Sequence, residues 1–302
     1  MREPPADVTA DDVLTALRAF WELDVDAAEH LPVGFGAHHW AASSSGRRAW
    51  FVTLDGLLPR HSVESLEAAY AGAAALAPRL DFVLACLPRA SGDFTAPFAD
   101  GALSVVPWLG EATEAGEDVR TTAGMLERLH ASSLADIPPW EPLLADPTAF
   151  ADGIEASLHQ PWDTGPYGEA ARQALDQQIG DIRRWAGRYG DLAAIALDHR
   201  DRWVPTHGEP DPGNQLVAHG RRFLVDWESL KLAPRERDLW ALGPGWESSY
   251  SARADRDLLE LFDLQWRLDE IGCFATWFSA PHSGSESDQV ALQGLLDELE
   301  RA

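Results

Sequence analysis

His207-Gly208-Glu209-Pro210-Asp211-Pro212-Gly213-Asn214, followed by Leu224-Val225-Asp226-Trp227-Glu228, spaces carboxylate and amide oxygens as a magnesium-bound phosphate would need them. Between the two runs, Gln215-Leu216-Val217, a turn at Ala218-His219-Gly220-Arg221 and then Arg222-Phe223-Leu224-Val225 read as a β-hairpin. The register sets Asn214 opposite Val225, one residue from Asp226, so both side chains emerge at the open end of the hairpin. A hard cation such as Mg²⁺ takes oxygen ligands, commonly one or two from protein side chains and the rest from phosphates and water. Asn214 and Asp226 satisfy that requirement. Glu209 falls in the loop just ahead of the metal, where a carboxylate can accept the proton of an attacking hydroxyl. Asp211 is a second carboxylate in the same loop, with capping of the turn as its structural alternative.

The pattern resembles the catalytic and metal-binding segments of aminoglycoside phosphotransferases and choline kinases, small-molecule kinases that share the protein-kinase fold. His-Gly-acid, four spacers, Asn and a hairpin ending in Val-Asp-Trp are followed by Pro234-Arg235-Glu236-Arg237-Asp238-Leu239-Trp240. That last run is similar to the segment with which family members anchor the C-terminal lobe. Three ordered matches are far more specific than one short motif. The resemblance implies an α+β fold of two lobes, small and β-rich first, larger and mostly helical second. It implies ATP and Mg²⁺ as cofactors, Glu209 in preference to Asp211 as the catalytic base, and Asn214 and Asp226 on the metal. His207 is expected to brace the catalytic loop, and Arg235 and Asp238 to tie it to the helices below.

Two positions depart from the family pattern. The base is usually Asp, and Glu209 is longer by one C–C bond of roughly 1.5 Å, where a misplacement of about 1 Å can cost on the order of a hundredfold in rate. The second departure is that the only lysine of the chain, Lys231, lies beyond Asp226. Related kinases carry a phosphate-binding lysine on the third strand, here Ala49 to Asp55, and Thr53 occupies its place. Upstream, Leu31 to Trp40, with Gly34 and Gly36, resembles the strand-turn-strand that covers nucleotide phosphates, glycine allowing close backbone approach. Arg47, Arg48, His38 and His39 are all candidates to replace the lysine, and the sequence does not choose among them. The departures leave an alternative function, a catalytically impaired kinase-like protein that only binds a nucleotide or ligand. A third reading transfers another group, such as an adenylyl unit.

The remaining elements follow from periodicity. Asp11–Leu23 and Ser62–Ala77 read as amphipathic helices, the second ended by Pro78, with Glu64 and Glu67 expected on a solvated face, the alternative being that one of them holds a phosphate-binding partner. Strands are expected at 31–41, 48–55, 82–87 and 103–106. The last runs into Pro107-Trp108-Leu109-Gly110, similar to a kinase hinge, so Val106 and Trp108 are expected at the adenine edge. Residues 1–107 then form the nucleotide-binding lobe and 108–302 the catalytic and substrate-binding lobe. Helices are expected at 119–132, 168–189, 251–278 and 287–301. Trp246, Glu247, Asp269 and Glu270 fall where the family builds its acceptor pocket, and aromatic faces beside carboxylates suit an ammonium group.

Composition bounds the partners. The chain has 302 residues, 45% hydrophobic, with 13 tryptophans, enough for a packed core and against disorder. A net charge of -25 argues against nucleic acid and anionic membranes as partners and suits a cationic small-molecule acceptor. The opening Met1-Arg2-Glu3-Pro4-Pro5 has no signal-peptide apolar region, so a cytoplasmic monomer or homodimer is expected. Cys86 and Cys273 lack metal-ligand or disulfide spacing.

Overall fold

A computed structural model describes residues 2–34, 36–57, 61–133 and 136–301. In chain order the elements are α1 (Ala10–Trp21), β1 (Ala27–Leu31), β2 (His38–Ser44), β3 (Arg47–Gly56), α2 (Val63–Leu76), β4 (Ala96–Phe98), β5 (Gly101–Pro107), β6 (Thr113–Glu114), α3 (Val119–His130), α4 (Pro147–Leu158), α5 (Gly168–Leu197), β7 (Val204–Thr206), β8 (Gln215–Ala218), β9 (Arg221–Leu224), β10 (Lys231–Ala233), α6 (Glu236–Leu239), α7 (Arg256–Ser279) and α8 (Glu286–Glu300).

Compactness divides the chain differently from a cut at the hinge. One unit comprises Met1–Trp140 with Trp203–Arg253, and the other Glu141–Arg202 with Ala254–Ala302. The first unit thus contains every described strand and also the catalytic loop. Its main sheet is antiparallel, in the order β1-β2-β3-β5-β4. Strand side chains alternate between faces, and here the two faces differ in chemistry. Trp40, Val52, Leu54, Leu103 and Val105 pack with Val13, Leu14, Leu17 and Trp21 of α1. That helix starts one residue earlier than its periodicity suggests, because Thr9 and Asp12 close a capping box around its first turn. The opposite face carries His39, Ala41, Phe51, Thr53, Asp55, Ser104 and Val106, set side by side by the pairings His39↔Thr53↔Ser104 and Ala41↔Phe51↔Val106.

The second unit is helical. Leu175 and Ile182 of α5 pack with Ile271, Phe274 and Phe278 of α7 and with Ala291 and Leu295 of α8. Each fully buried side chain of this size contributes about 1.5–3 kcal/mol of transfer free energy. Two expectations are corrected here. Helix α5 extends to Leu197, beyond Tyr189. Residues 82–87 form no strand, but only an isolated parallel bridge between Val83 and Leu224. The segment exchanges hydrogen bonds with Leu224 (Leu84 N–H to Leu224 O, 3.2 Å; Leu224 N–H to Phe82 O, 2.8 Å), and Leu87 N–H donates to Val105 O of β5 at 2.8 Å. Helix α4 was not anticipated, although Asp146 caps it and Pro147 opens it, a position proline suits. Among the described residues no helix is long and apolar enough to cross a membrane.

Candidate active site

The hairpin of β8 and β9 turns on His219 and Gly220, both at positive φ (52° and 72°) as a type I′ turn requires. Its register is the expected one: Val225 N–H donates to Asn214 O at 3.0 Å, which places Asp226 beside Asn214. Asn214 Nδ2 donates to Glu209 O at 3.0 Å, so the amide is oriented by the loop that carries the candidate base. Asp211 accepts from Gly213 N–H at 2.7 Å and caps a short 3₁₀ turn at Pro212–Asn214. That is a structural use of the second carboxylate. Glu209 is half-buried, close enough to Glu228 and Arg237 to affect the ionisation of both.

The loop 206–209 rests on buried polar groups. Asp238 accepts from His207 N–H (2.9 Å), Gly208 N–H (2.6 Å) and the His130 ring (2.9 Å). Burial alone would raise its pKa, but the His130 hydrogen bond and the nearby positive charge bring it below the ordinary carboxylate value. His207 is fully buried: Nε2 meets Val225 O at 2.8 Å and Nδ1 accepts from Glu209 N–H at 3.3 Å. Burial depresses its pKa, so it braces the loop as a neutral ring. The cation beneath the loop is Arg237, which donates to Thr206 Oγ1 at 3.0 Å, whereas Arg235 acts on Tyr250. Gly208 has φ 106°, and a Cβ there would stand 2.4 Å from the Arg237 guanidinium.

Asp226 adopts positive φ (67°) and lies among acids. Burial, then the Asp226 charge, push the Glu228 carboxyl well up. Asp55 on β3 is raised to about 7, by burial first and by Asp226 second, and it accepts from the Tyr70 hydroxyl of α2 at 3.2 Å. Among the described residues no group of three or more His, Cys, Asp or Glu is arranged to hold a metal by itself. The donor set nonetheless fits Mg²⁺. Asn214 and Asp226 supply hard oxygens, and Glu228 has a buried Oε2 with no hydrogen-bond partner.

On the sheet face, Gly34 and Gly36 take positive φ (70° and 95°); Phe35 between them lies outside the described residues. Thr53 faces His39, whose Nδ1 is 3.2 Å from the threonine hydroxyl. Burial holds the His39 ring at about 4, with Asp226 acting in the opposite direction. The apolar row ends at the hinge: Val106 pairs with Phe51, Trp108 N–H donates to Ala49 O at 2.9 Å, and the Phe51 and Trp108 rings are 6.4 Å apart. Glu67 of α2, expected on a solvated face, instead accepts from Phe94 N–H (2.8 Å) and Thr95 N–H (2.7 Å).

The expected acceptor residues divide between the units. Trp246 is buried edge-on to Tyr250, and Glu247 lines a cavity of about 550 Å³ with Asp118 and Arg120, all in the first unit. Asp269 and Glu270 lie half-buried on α7 of the second, where Asp269 accepts from the Cys273 thiol at 3.7 Å.

Residues 28–270 match the phosphotransferase enzyme family. The chain belongs to this family. It is therefore a small-molecule phosphotransferase, in keeping with the resemblance in the catalytic segment. Protein StrN of Streptomyces griseus is 28% identical over 228 residues, 71% of this chain and 70% of that protein. Spectinomycin phosphotransferase in complex with ADP and spectinomycin superposes with a TM-score of 0.74 at 14% identity, over 96% of this chain and 94% of that one. A microcompartment-associated aminopropanol kinase gives 0.59 at 14% identity over 95% and 94%, and the choline kinase LicA from Streptococcus pneumoniae 0.54 at 14% over 97% and 99%. At these identities the structures show the fold, which is kinase-like: a small antiparallel sheet lobe and a helical portion.

Proposed function

We propose that the protein transfers the γ-phosphoryl group of ATP to a hydroxyl of an amine-bearing small molecule, of aminoglycoside, sugar or amino-alcohol type. The observation that carries this reading is the bond from Val225 N–H to Asn214 O, which sets Asn214 and Asp226 together directly after the loop of Glu209. Asn214 and Asp226 would hold Mg²⁺, which when bound neutralises phosphate charge. Glu209 accepts the proton of the acceptor hydroxyl as its oxygen attacks phosphorus. Asp238 and His207 hold the loop backbone still, and Glu209 depends on that rigidity because its extra methylene must be accommodated. Residues 1–107 serve the nucleotide, with Gly34 and Gly36 over the phosphates, Thr53 beneath them and Val106 and Trp108 at the adenine. Residues 108–302 carry catalysis and the acceptor. The named relatives support an amine-bearing alcohol as acceptor, as does a net charge of -25.

The test is a nucleotide thermal-shift series with and without Mg²⁺, followed by a transfer screen against aminoglycosides, sugars and amino alcohols. MgATP should raise the melting temperature by mass action, and one acceptor class should yield ADP. No shift with any nucleotide at millimolar concentration overturns the proposal.

A further inference from the structure

The nucleotide reading leaves the phosphates without the lysine that a kinase sheet supplies, and the geometry of β2 and β3 indicates what stands there instead. Other candidates are engaged elsewhere. Arg48 pairs with Glu29 at 2.6 Å and lies over the Trp108 ring at 5.1 Å. Arg47 is exposed at the start of β3, six residues from Thr53, or about 20 Å along a strand. His38 is on the opposite face, with its ring 6.1 Å from that of His30 and 6.3 Å from that of Trp40. Lys231 is in β10, paired with Thr206.

His39 remains, and three independent observations converge on it. It lies on the same face as Thr53 and directly opposite it in the register. Its Nδ1 is engaged by the Thr53 hydroxyl, and the other end of the ring lies under the glycine turn: a Cβ on Gly34 would stand 2.9 Å from Nε2. Its position is also informative. Gly34-Phe35-Gly36-Ala37-His38-His39-Trp40-Ala41 aligns with the phosphate-covering pattern G-x-G-x-x-G-x-V at its first two glycines, with histidine at the third and alanine in place of the valine.

We propose that His39 is the phosphate-binding side chain of this enzyme: the Thr53 hydroxyl donates to Nδ1, fixing the tautomer, and Nε2–H donates to a nucleotide phosphate oxygen under the glycine turn. This rests on the nucleotide reading of the sheet face. Thr53 is then a positioning residue acting through His39. A tilted ring contact with Phe51, at 5.0 Å and 31°, holds the imidazole beside the apolar row.

Calorimetric binding of MgATP and of adenosine to wild type, His39→Ala, His39→Gln and Thr53→Val tests the assignment. His39→Ala should weaken MgATP by roughly ten- to a hundredfold, the value of a hydrogen bond to a charged group, and leave adenosine within about twofold. His39→Gln keeps an N–H donor near the Nε2 position and a similar volume, so it should stay within about threefold of wild type for MgATP. Thr53→Val should fall between the two. Equal losses for MgATP and adenosine would assign His39 to packing on Phe51 and overturn the proposal, as would unchanged MgATP affinity in His39→Ala. A wild-type protein that binds no nucleotide overturns the nucleotide reading itself, whereas one that binds MgATP independently of His39 overturns this assignment alone.

Discussion

The catalytic segment and the phosphate-facing sheet meet the same demand, holding a few polar groups still, by opposite means. In the segment 204–240 nearly every functional group is fixed by neighbours close in sequence or by one buried acid: Asp238 takes two consecutive backbone N–H groups, and Asp211, Asn214 and His207 bond within their own loop. On the sheet no local rule fixes anything. His39, Thr53 and Ser104 come together only because three strands share one register. Local devices use fixed residue types at fixed spacing, while register tolerates substitution, which is how a lysine can be absent from one region while the other keeps its pattern.

The contrast can be broken most sharply in the catalytic loop. Glu209→Gln keeps the shape and removes the base, so transfer should fall by about two to four orders of magnitude with MgATP affinity little changed; full activity in this variant alongside loss in Asp211→Asn would move the base to Asp211. Asp226→Ala should abolish the MgATP-dependent rise in melting temperature while the apo protein still melts cooperatively, and EDTA should abolish it in the wild type. Gly208→Ala tests the packing itself. A side chain at φ 106° facing Arg237 should cost about 3 kcal/mol or more in denaturant unfolding, and a neutral result would show that the loop is softer than its hydrogen bonds imply.

Sheet substitutions should be milder. Thr53→Lys introduces the absent charge and should tighten MgATP by up to about tenfold, despite losing the hydroxyl that holds His39; unchanged or weaker binding would show that a side chain at position 53 does not reach the phosphates. At Asp55 the expected effect is a pH dependence of stability. Its carboxyl is raised to about 7 from a model-compound value of 3.8, so the folded protein binds this proton more tightly than the unfolded chain. The stabilisation is complete below about pH 4 and is lost as pH rises through 7. Asp55→Asn stays neutral throughout, so in metal-free buffer its melting temperature relative to wild type should climb between pH 4 and 7 and level off above. A flat difference would mean that Asp55 is ionised in the fold.

The same contrast explains how much the sequence reveals. The hairpin, its register and the glycine-bearing turn could be read because each rests on residues adjacent in the chain. Helices α1, α2 and α3 were legible from their apolar spacing. Arg237 could not be told from Arg235 without knowing which one the turn at Pro234 directs inward. Glu67 looked like a surface residue because the N–H groups it accepts lie 27 and 28 positions away. Pro147 reads as a breaker until Asp146 is seen capping the helix it opens. The choice of His39 over His38 depends on which strand face packs on α1, a tertiary fact.

Helix α2 is joined to β3 by Tyr70 and Asp55, a phenol and a carboxyl in the interior, while its glutamate Glu67 is committed to the 94–95 backbone. Protein kinases join the equivalent elements through a lysine–glutamate pair, and their regulation works by making and breaking it. Among the described residues no lysine–glutamate pair joins α2 to β3. The join between α2 and β3 thus rests on an uncharged donor, the Tyr70 hydroxyl, in place of a cation.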